Sequence, residues 1–553
     1  MTLVWESGIT LQHPDNNDPL LDLNTQPSLD LQFATSKTLD DRVSGLPLVN
    51  HQRDASSGKS AGTYVGSDGL IKNSPANLLT YSEQFDQWDV GSNTTITTNA
   101  IAAPDGSMTA DRIELPASGG TYVQQTNAIT AGAEYTGSVW VKAVTPGVNN
   151  QFNLQYGGDS VSSTAFTATG DWQRISSTVT AALGGSFSIN NRPDTYITDV
   201  YVWGAQLQEG ALTDYIPTTT TATGAPRFDH DPVTGESLGL LIEESRTNFF
   251  LNSQPTNANW SQYNTATITD NQATGPDGVA NSASLVAFPA TGGTIPIIGT
   301  SASGASGTVT VSAYVRAVTN TVSIQIGTNL SYSASQSVGT SWTRISFTTS
   351  VVGTSAGLRS GDVNSVQNFY IWGAQGEIGS FPTSYIPTTS STVTRAADVA
   401  SITGSNFSSW YRQDEGTVFS NCKQAQVNTV AGATHYQFSD GTTGERFDVF
   451  GRANGGTGVK VFDGGTEVTD LFPTFTGIAA NTAIKIALAL KENDLAAKGF
   501  DDRSVQTDNS VTLPTVDRLT IGSGFSRSIN GTISRLTYYP YRLTDTTLQE
   551  ITS

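Results

Sequence analysis

Tyr201-Val-Trp-Gly-Ala-Gln206 returns as Tyr370-Ile-Trp-Gly-Ala-Gln375, and Asp214-Tyr-Ile-Pro-Thr-Thr219 just downstream returns as Ser384-Tyr-Ile-Pro-Thr-Thr389. Earlier landmarks keep the same order and nearly the same offset. Trp172-Gln-Arg-Ile-Ser176 matches Trp342-Thr-Arg-Ile-Ser346, Val141-Lys-Ala-Val144 matches Val315-Arg-Ala-Val318, Pro104-Asp-Gly106 matches Pro276-Asp-Gly278, and Trp88 matches Trp260. Matches in one order at one offset mark a duplicated domain, and a duplication fixes the organisation of a chain better than composition does.

Within each copy the local pattern is that of a sheet. In Thr308-Val-Thr-Val-Ser-Ala-Tyr-Val-Arg-Ala-Val318, Val309, Val311, Ala313, Val315 and Ala317 share one face, while Thr310, Ser312, Tyr314 and Arg316 share the other. Short alternating runs of this kind, separated by Gly, Asn, Asp and Ser turns, predict an all-β chain of tandem jelly-roll β-sandwiches. The 553 residues correspond to roughly three or four domains at about 150 residues each. The expected division is a segment 1–76 containing a hairpin at Tyr64–Ile71 turned by Asp68-Gly69, a module 77–222, a linking hairpin 223–246, a second module 247–392, and a different sandwich over 393–553. In that last part Phe447–Phe450, Val459–Phe462, Ile484–Leu490 and Leu519–Ile521 read as strands. Leu543–Glu550 reads as a short helix capped by Thr544 or Asp545.

Composition removes several function classes. Lys+Arg 28 against Asp+Glu 48 gives a formal charge of −20, without a basic cluster to neutralise phosphates, so nucleic acid is not an expected partner. The single cysteine, Cys422, excludes an intrachain disulfide framework and a multi-cysteine zinc site. No stretch has the length and apolarity of a membrane span, and the start lacks the pattern of a secretory signal. Synthesis as a soluble cytoplasmic chain without membrane insertion is expected.

Catalytic patterns fail in turn. Gly353-Thr-Ser-Ala-Gly357 has the letters of a nucleophile elbow but lies in β context without a helix or a histidine partner. Arg53-Asp-Ala-Ser-Ser-Gly-Lys-Ser60 ends like a phosphate loop but lacks its first glycine. Glu492 and Asp494 form no complete acid series and read as a strand end and turn. His13, His51, His230 and His435 are scattered, and His230 between Asp229 and Asp231 reads as a solvated hairpin tip. No catalytic residue, metal site or cofactor is expected, and the chain reads as a non-enzyme. What remains is binding on aromatic platforms, where sugar C–H faces pack on rings and nearby polar groups meet the hydroxyls. Trp140 with Lys142 and Tyr314 with Arg316 fit this requirement, or else plug the sandwich. Trp88 and Trp260 sit near the module entries and admit either role, whereas Trp172, Trp342, Trp203 and Trp372 read as core. Trp410-Tyr411 reads as packing against a neighbour.

Thr80-Tyr-Ser-Glu-Gln-Phe-Asp-Gln-Trp88, Trp203-Gly-Ala-Gln-Leu-Gln-Glu209 and Tyr215-Ile-Pro-Thr218 resemble a module of bacteriophage head-spike and tail-fibre proteins, related to jelly-roll carbohydrate-binding modules. Thr63–Lys72 and Arg227–Asn248 are similar to phage structural proteins too. Ile529–Pro540 with Arg542–Asp545 is similar to the end of concanavalin-A-like, laminin-G-like phage domains. The resemblance implies an elongated multidomain virion fibre or spike, usually a homotrimer. It would be held to other virion proteins through the N-terminal segment and adhere to host-surface polysaccharide or glycan. The alternatives are a purely structural or decorating virion component and a glycan-depolymerising tailspike. The resemblance also implies that the first module is inserted between two halves of one small platform, which requires residues 60–75 to lie against residues 225–245.

Overall fold

The computed structural model describes residues 26–55, 62–118, 120–157, 163–192, 196–302, 304–351, 353–425, 432–453, 455–474, 477–525 and 527–553. They form two compact units: one of residues 51–236 and 243–399, the other of the N-terminal stretch, residues 237–242 and residues 400–553. Both are all-β, and among the described residues no helix is long and apolar enough to cross a membrane.

The first unit contains both repeated modules. In the first, one five-stranded antiparallel sheet runs Gln173–Thr180, Glu134–Ala143, Thr198–Glu209, Ala110–Leu115, Thr95–Ile101. The facing sheet runs Ser163–Thr167, Gln151–Tyr156, Gly185–Asn190, Tyr122–Ile129, Asp89–Val90. The second repeats the plan. Thr343–Thr349, Val309–Ala317, Gln367–Ile378, Ala283–Phe288 and Thr267–Ala273 face a sheet of Ser261–Tyr263, Ile297–Ser301, Ser355–Ser360 and Val322–Thr328, with two short strands on its far edge. The alternation read from the sequence sets the cores. Val309, Val311, Ala313, Val315 and Ala317 are each at most 2% exposed between the sheets of the second module, as Val139, Val141 and Ala143 are in the first.

The repeated Trp-Gly-Ala-Gln string is a β-bulge. Pairing slips between Ser138 and Trp140 in one module and between Ser312 and Tyr314 in the other, with Gly204 and Gly373 as the extra residues at φ 61° and 58°, where a side chain is disfavoured. The bulge turns the next glutamine toward the Tyr-Ile-Pro-Thr stretch. Gln206 accepts the Ile216 N–H at 2.8 Å, and Gln375 accepts that of Ile386 at 2.6 Å. Asn77 and Asn248 close the same corner, each donating to the isoleucine carbonyl and accepting N–H groups from its own strand and from the bulged one. The repeat is thus the conserved hydrogen bonding of one corner, made twice.

A small platform joins the modules. Thr63–Val65 and Ile71–Asn73 form the expected hairpin, Ala76–Asn77 pairs with Thr223–Gly224, and Arg246–Asn248 pairs with Val393–Arg395. The hairpin lies against residues 227–230: Asp229 accepts the Val65 N–H at 2.7 Å, His230 Nδ1 is 3.0 Å from the Val65 carbonyl, and Arg227 donates to the Thr63 carbonyl at 2.9 Å. This is the proximity that an inserted first module requires. His230 is 5% exposed, so the expected solvated tip is corrected: the imidazole is drawn inward by that carbonyl.

Beneath the platform lies a fully buried charge network. Asp398 takes Arg53 Nη1 at 3.0 Å, Arg227 Nη2 and the Glu243 N–H at 3.0 Å. Glu243 takes Arg227 at 2.8 Å, Arg395 at 2.9 Å and both the N–H and hydroxyl of Ser384 at 2.7 Å. His51 Nε2 stands 3.5 Å from Asp398, and burial lowers its pKa despite that carboxylate. Burial alone would raise both acids. The guanidinium groups overcome it, holding Asp398 well below the ordinary carboxylate range and Glu243 at about 2. The residue that spoils the phosphate-loop string, Arg53, is therefore structural, whereas residues 56–60 of that string and His13 lie outside the described residues.

The second unit is a larger sandwich. One sheet orders Ser237–Ile242, Gly531–Tyr539, Glu415–Gln424, Ala483–Lys491, Leu495–Gly499 and Gln506–Asp508. The other orders Val399–Thr403, Arg518–Ile521, Ala433–Ser439, Arg446–Gly451, Thr457–Asp463 and Thr466–Leu471. Within the segment expected to serve for attachment, Leu29–Leu31 add a strand beside Gly531–Tyr539. Both leucines are fully buried, and Asp30 is bound by Arg535 at 2.9 Å. Trp410 is 5% exposed and packs on Phe407, Phe438 and Tyr538, so it belongs to this domain's own core rather than to a neighbour. Thr544 is the cap of the terminal helix Asp545–Thr552, accepting the Thr547 N–H.

Removing one member of the network strands the others. Asp398→Asn is expected to cost about 3–5 kcal/mol in a denaturant titration at pH 7. Glu243, whose folded value of about 2 lies below its ordinary 4.5, contributes stability that is complete above pH 4.5 and is lost as pH falls toward 2. Asp229 has the opposite sign. Burial pushes it up to about 6, so its charge destabilises the fold above pH 6 and ceases to do so near its ordinary value. Asp229→Asn, which keeps the acceptor for Val65, is expected to raise stability by about 1–3 kcal/mol at pH 7 and to change little at pH 4.

Candidate functional site

The structure puts the sequence-nominated aromatics on the outer face of the bulged sheet of each module. Trp140 lies directly across from Trp203, whose ring centroid is 4.9 Å from that of Tyr215, and Trp172 and Ile101 complete the cluster. In the second module Tyr314 is 5.6 Å from Trp372, which is 4.6 Å from Tyr385. Arg316 lies over Trp342 and Tyr370, and Arg344 over Tyr314. Ile71 of the platform hairpin packs into this second cluster, with its N–H on the Pro276 carbonyl at 2.9 Å. Trp140, Lys142, Tyr314 and Arg316 are only half-buried, but the three aromatic or guanidinium members are committed to neighbouring rings. Trp88 and Trp260 are 5% and 3% exposed, with their indole N–H groups on the Tyr81 and Asn252 carbonyls at 3.0 Å. Neither offers a ring face to a sugar, which corrects the reading of those two as platforms.

An open groove lies on the opposite sheet of the second module. Three glycines sit side by side across adjacent strands, Gly299 opposite Gly357 and Gly357 opposite Gly327, so the centre of that face carries backbone alone. The strands approach so closely that a Cβ at Gly357 would stand 2.0 Å from the Ile298 carbonyl oxygen, and one at Gly327 2.2 Å from that of Ser331. A trough of about 490 Å³ on this face is lined by Gly299 at one end of the glycine row, by Tyr263, Asn264, Asn329, Tyr332 and Arg359, and by several serines.

Local structure presents each wall. Asn264 and Thr265 adopt left-handed conformations that end the strand Ser261–Tyr263, and the Asn264 amide is tied to the Ile295 carbonyl at 2.8 Å. Tyr263 is left 54% exposed at the rim. On the other side the turn Asn329-Leu330 folds Tyr332 back opposite Gly327. The Arg359 guanidinium covers the Tyr332 ring at 4.1 Å, and Arg359 Nε donates to Gln325 at 2.6 Å. Burial raises the Tyr332 phenol above its ordinary pKa, opposed by Arg359. The hydroxyls of Tyr263 and Tyr332 have no hydrogen-bond partner among the described residues.

The first module has the same strands in the same order, but its trough is filled. Where the second has Gly299, Gly357 and Gly327, the first pairs Gln124 with Ser188 and Ser188 with Gln155. Asn190 donates to both Gln155 and Ser188, and Gln155 and Asn190 are 3% and 1% exposed. The duplicated fold therefore carries one open groove and one closed by amides.

The groove lining contains no aspartate, glutamate or histidine. It can bind through rings, amides and one guanidinium, and among the described residues it presents no carboxylate or imidazole. Among the described residues no group of three His, Cys, Asp or Glu side chains is arranged to hold a metal ion. The string 353–357, rejected as an elbow, runs into the strand Ser355–Ser360 and supplies part of the groove wall. Tyr263, Tyr332 and Arg359 lie outside the pattern of an aromatic followed by a cation on the bulged strand. The signal available was a glycine interrupting three apolar strands, at Ile298-Gly299, Ile326-Gly327 and Ala356-Gly357.

No protein-family model matches the chain, and no curated protein sequence does. Among solved structures it is similar to the Ruminococcus gnavus IT-sialidase CBM40 bound to alpha2,3 sialyllactose, at 18% identity over 26% of this chain and 83% of that one, TM-score 0.22. It is also similar to the NanB sialidase from Streptococcus pneumoniae, as its K499G mutant, at 15% identity over 27% and 26%, TM-score 0.23. A third is the heptameric SAP-like pentraxin from Limulus polyphemus, at 14% identity over 25% and 70%, TM-score 0.20. At these scores the neighbours do not bear on what the groove holds, and the case for it rests on its own geometry.

Because the glycine floor has no room for a side chain, Gly357→Ala is expected to cost at least about 1–3 kcal/mol in thermal or denaturant unfolding. The matching position in the first module tolerates the exchange, and Ser188→Ala there is expected to change stability by less than about 1 kcal/mol.

Proposed function

We propose that this chain is a non-catalytic adhesion subunit that binds glycan in the glycine-floored groove of its second module. One observation carries the reading: a trough one backbone deep, walled by an exposed tyrosine and a tyrosine held under an arginine, with asparagine and serine groups at its rim. Sugar rings offer flat C–H faces edged by hydroxyls. A flat peptide floor with aromatic walls and convergent amides is complementary to both. The first module, whose equivalent face is closed by its own amides, serves as a structural element.

The placement on a bacteriophage particle, as a tail or head fibre, rests on the resemblance of the repeated module and of the terminal domain to phage structural proteins. In a trimeric fibre, weak grooves on parallel subunits would act together through effective concentration. Host-surface polysaccharide is the partner this reading implies, and no bond in it is broken.

The reading is tested by glycan-array binding of the full chain followed by titration of the best ligand. Tyr263→Ala and Tyr332→Ala are each expected to weaken binding about tenfold. Tyr263→Ala should leave the melting temperature unchanged, because that ring is mostly in solvent. Trp140→Ala should do the reverse, lowering stability by about 2–4 kcal/mol without altering affinity. Binding that survives both tyrosine substitutions, or release of new reducing ends from the bound polysaccharide, would refute the proposal.

A further inference from the structure

The groove carries one formal charge, Arg359, in a chain whose net charge is −20. Arg359 forms no salt bridge among the described residues, unlike the network arginines, which are all paired. Its plane is fixed from two sides, by the Tyr332 ring at 4.1 Å and by the hydrogen bond from Nε to Gln325 at 2.6 Å. Gln325 thereby occupies Nε and with it the side-on fork of Nε and Nη2, while the end-on pair, Nη1 and Nη2, has no hydrogen-bond partner among the described residues. Charge-neutral packing would be served by a methionine or a glutamine. A guanidinium held between a ring and an amide, uncompensated and lining an open trough is instead a receptor for a planar anion, since two parallel N–H groups match the two oxygens of a carboxylate.

We infer that the ligand of the groove is an acidic saccharide, a glycan containing a sugar acid whose carboxylate is received by the terminal nitrogens of Arg359. The inference rests on the glycan-binding reading of this same groove and narrows it. The neighbouring ring of the sugar acid then lies over the glycine floor, with Tyr263 and Tyr332 on its two sides. The module's own carboxylates do not compete, because none lines the trough. The chain's negative field opposes the approach of such a ligand at long range, so selectivity resides in the contact at Arg359 and not in steering.

The experiment uses the full chain and paired probes: hexuronate and sialylated oligosaccharides, each beside its carboxyl-reduced counterpart, with a sulfated neutral oligosaccharide as a third arm. The acidic member of a pair is expected to bind roughly 10- to 100-fold more tightly than its reduced form. Arg359→Met is expected to erase that difference while leaving the weak binding of the reduced form in place. Arg359→Lys, which keeps the charge and loses the fork, should restore only part of it. Equal affinity for acidic and reduced members would overturn the inference and leave glycan adhesion standing, as would preference for the sulfated probe. Loss of the reduced form's binding in Arg359→Met would also overturn it, by showing that Arg359 acts only through the position of Tyr332. Failure of every probe, neutral ones included, would overturn both the inference and the reading on which it rests.

Discussion

Asp398 and Glu243 hold together stretches of chain that are far apart in sequence. Arg53 comes from before the first module, Arg227 and Glu243 from between the modules, and Arg395 with Asp398 from after the second. A chain with one cysteine has no disulfide to close these loops, and its Ser-, Thr- and Gly-rich strands bury thin cores. The junction is held instead by three guanidinium groups on two carboxylates, with Ser384, Ser74 and backbone carbonyls of Thr63 and Glu244 taking further donors. Removing charges from water is costly, and an apolar replacement of the same volume would be as stable or more so. What charge contributes here is geometry: each guanidinium donates in a fixed fork, so the four crossings of the chain meet in one arrangement.

That arrangement decides which faces of the modules are free. The hairpin 63–73 needs the network for its position, since Thr63 and Ser74 at its two ends both accept from network arginines. Once placed, it delivers Ile71 to the aromatic face of the second module, where Ala273 leaves room. The first module has Ile101 at the equivalent point of its sheet and fills its cluster from within. The alanine at this point of the second sheet leaves a space that Ile71 of the hairpin fills, where the first has its own isoleucine. The bulged sheet of the second module is consumed by this docking, and its opposite sheet is the one left to carry a groove.

The fold was legible in the sequence to the extent that it depends on local rules. The period-2 pattern of Val309–Ala317 gives the core face directly. The Trp-Gly-Ala-Gln and Tyr-Ile-Pro-Thr strings recur because each copy must build the same bulge and satisfy the same isoleucine amide, so hydrogen bonding at a corner shows up as a repeat. The network was not legible, since its six members fall in three groups separated by whole domains and each, read alone, is an ordinary arginine, acid or histidine on a polar stretch. His230 illustrates the cost: between two aspartates it reads as solvent-facing, but the Val65 carbonyl beside it comes from before the first module.

The candidate site was illegible for a different reason, since its centre is made of absent side chains. Rings and charges are the visible signs of chemistry in a sequence, and those of Trp140 and Tyr314 are used by the fold as packing. Gly299, Gly327 and Gly357 carry no chemistry and signal only by interrupting apolar strands, a pattern shared with ordinary turns. Comparison between the copies turns that weak signal into an argument. The first module shows what this sheet looks like when its middle row has side chains: Gln155 and Ser188 both accept from Asn190 and are closed to solvent, and Gln124 at the edge donates to Asp89. Two copies under the same structural constraints would be expected to keep the same self-satisfied row. The second has three glycines there, carries their backbone entropy in mid-strand, and holds beside them an arginine with no salt bridge among the described residues, a combination that weakens a sheet unless something else is meant to lie on it.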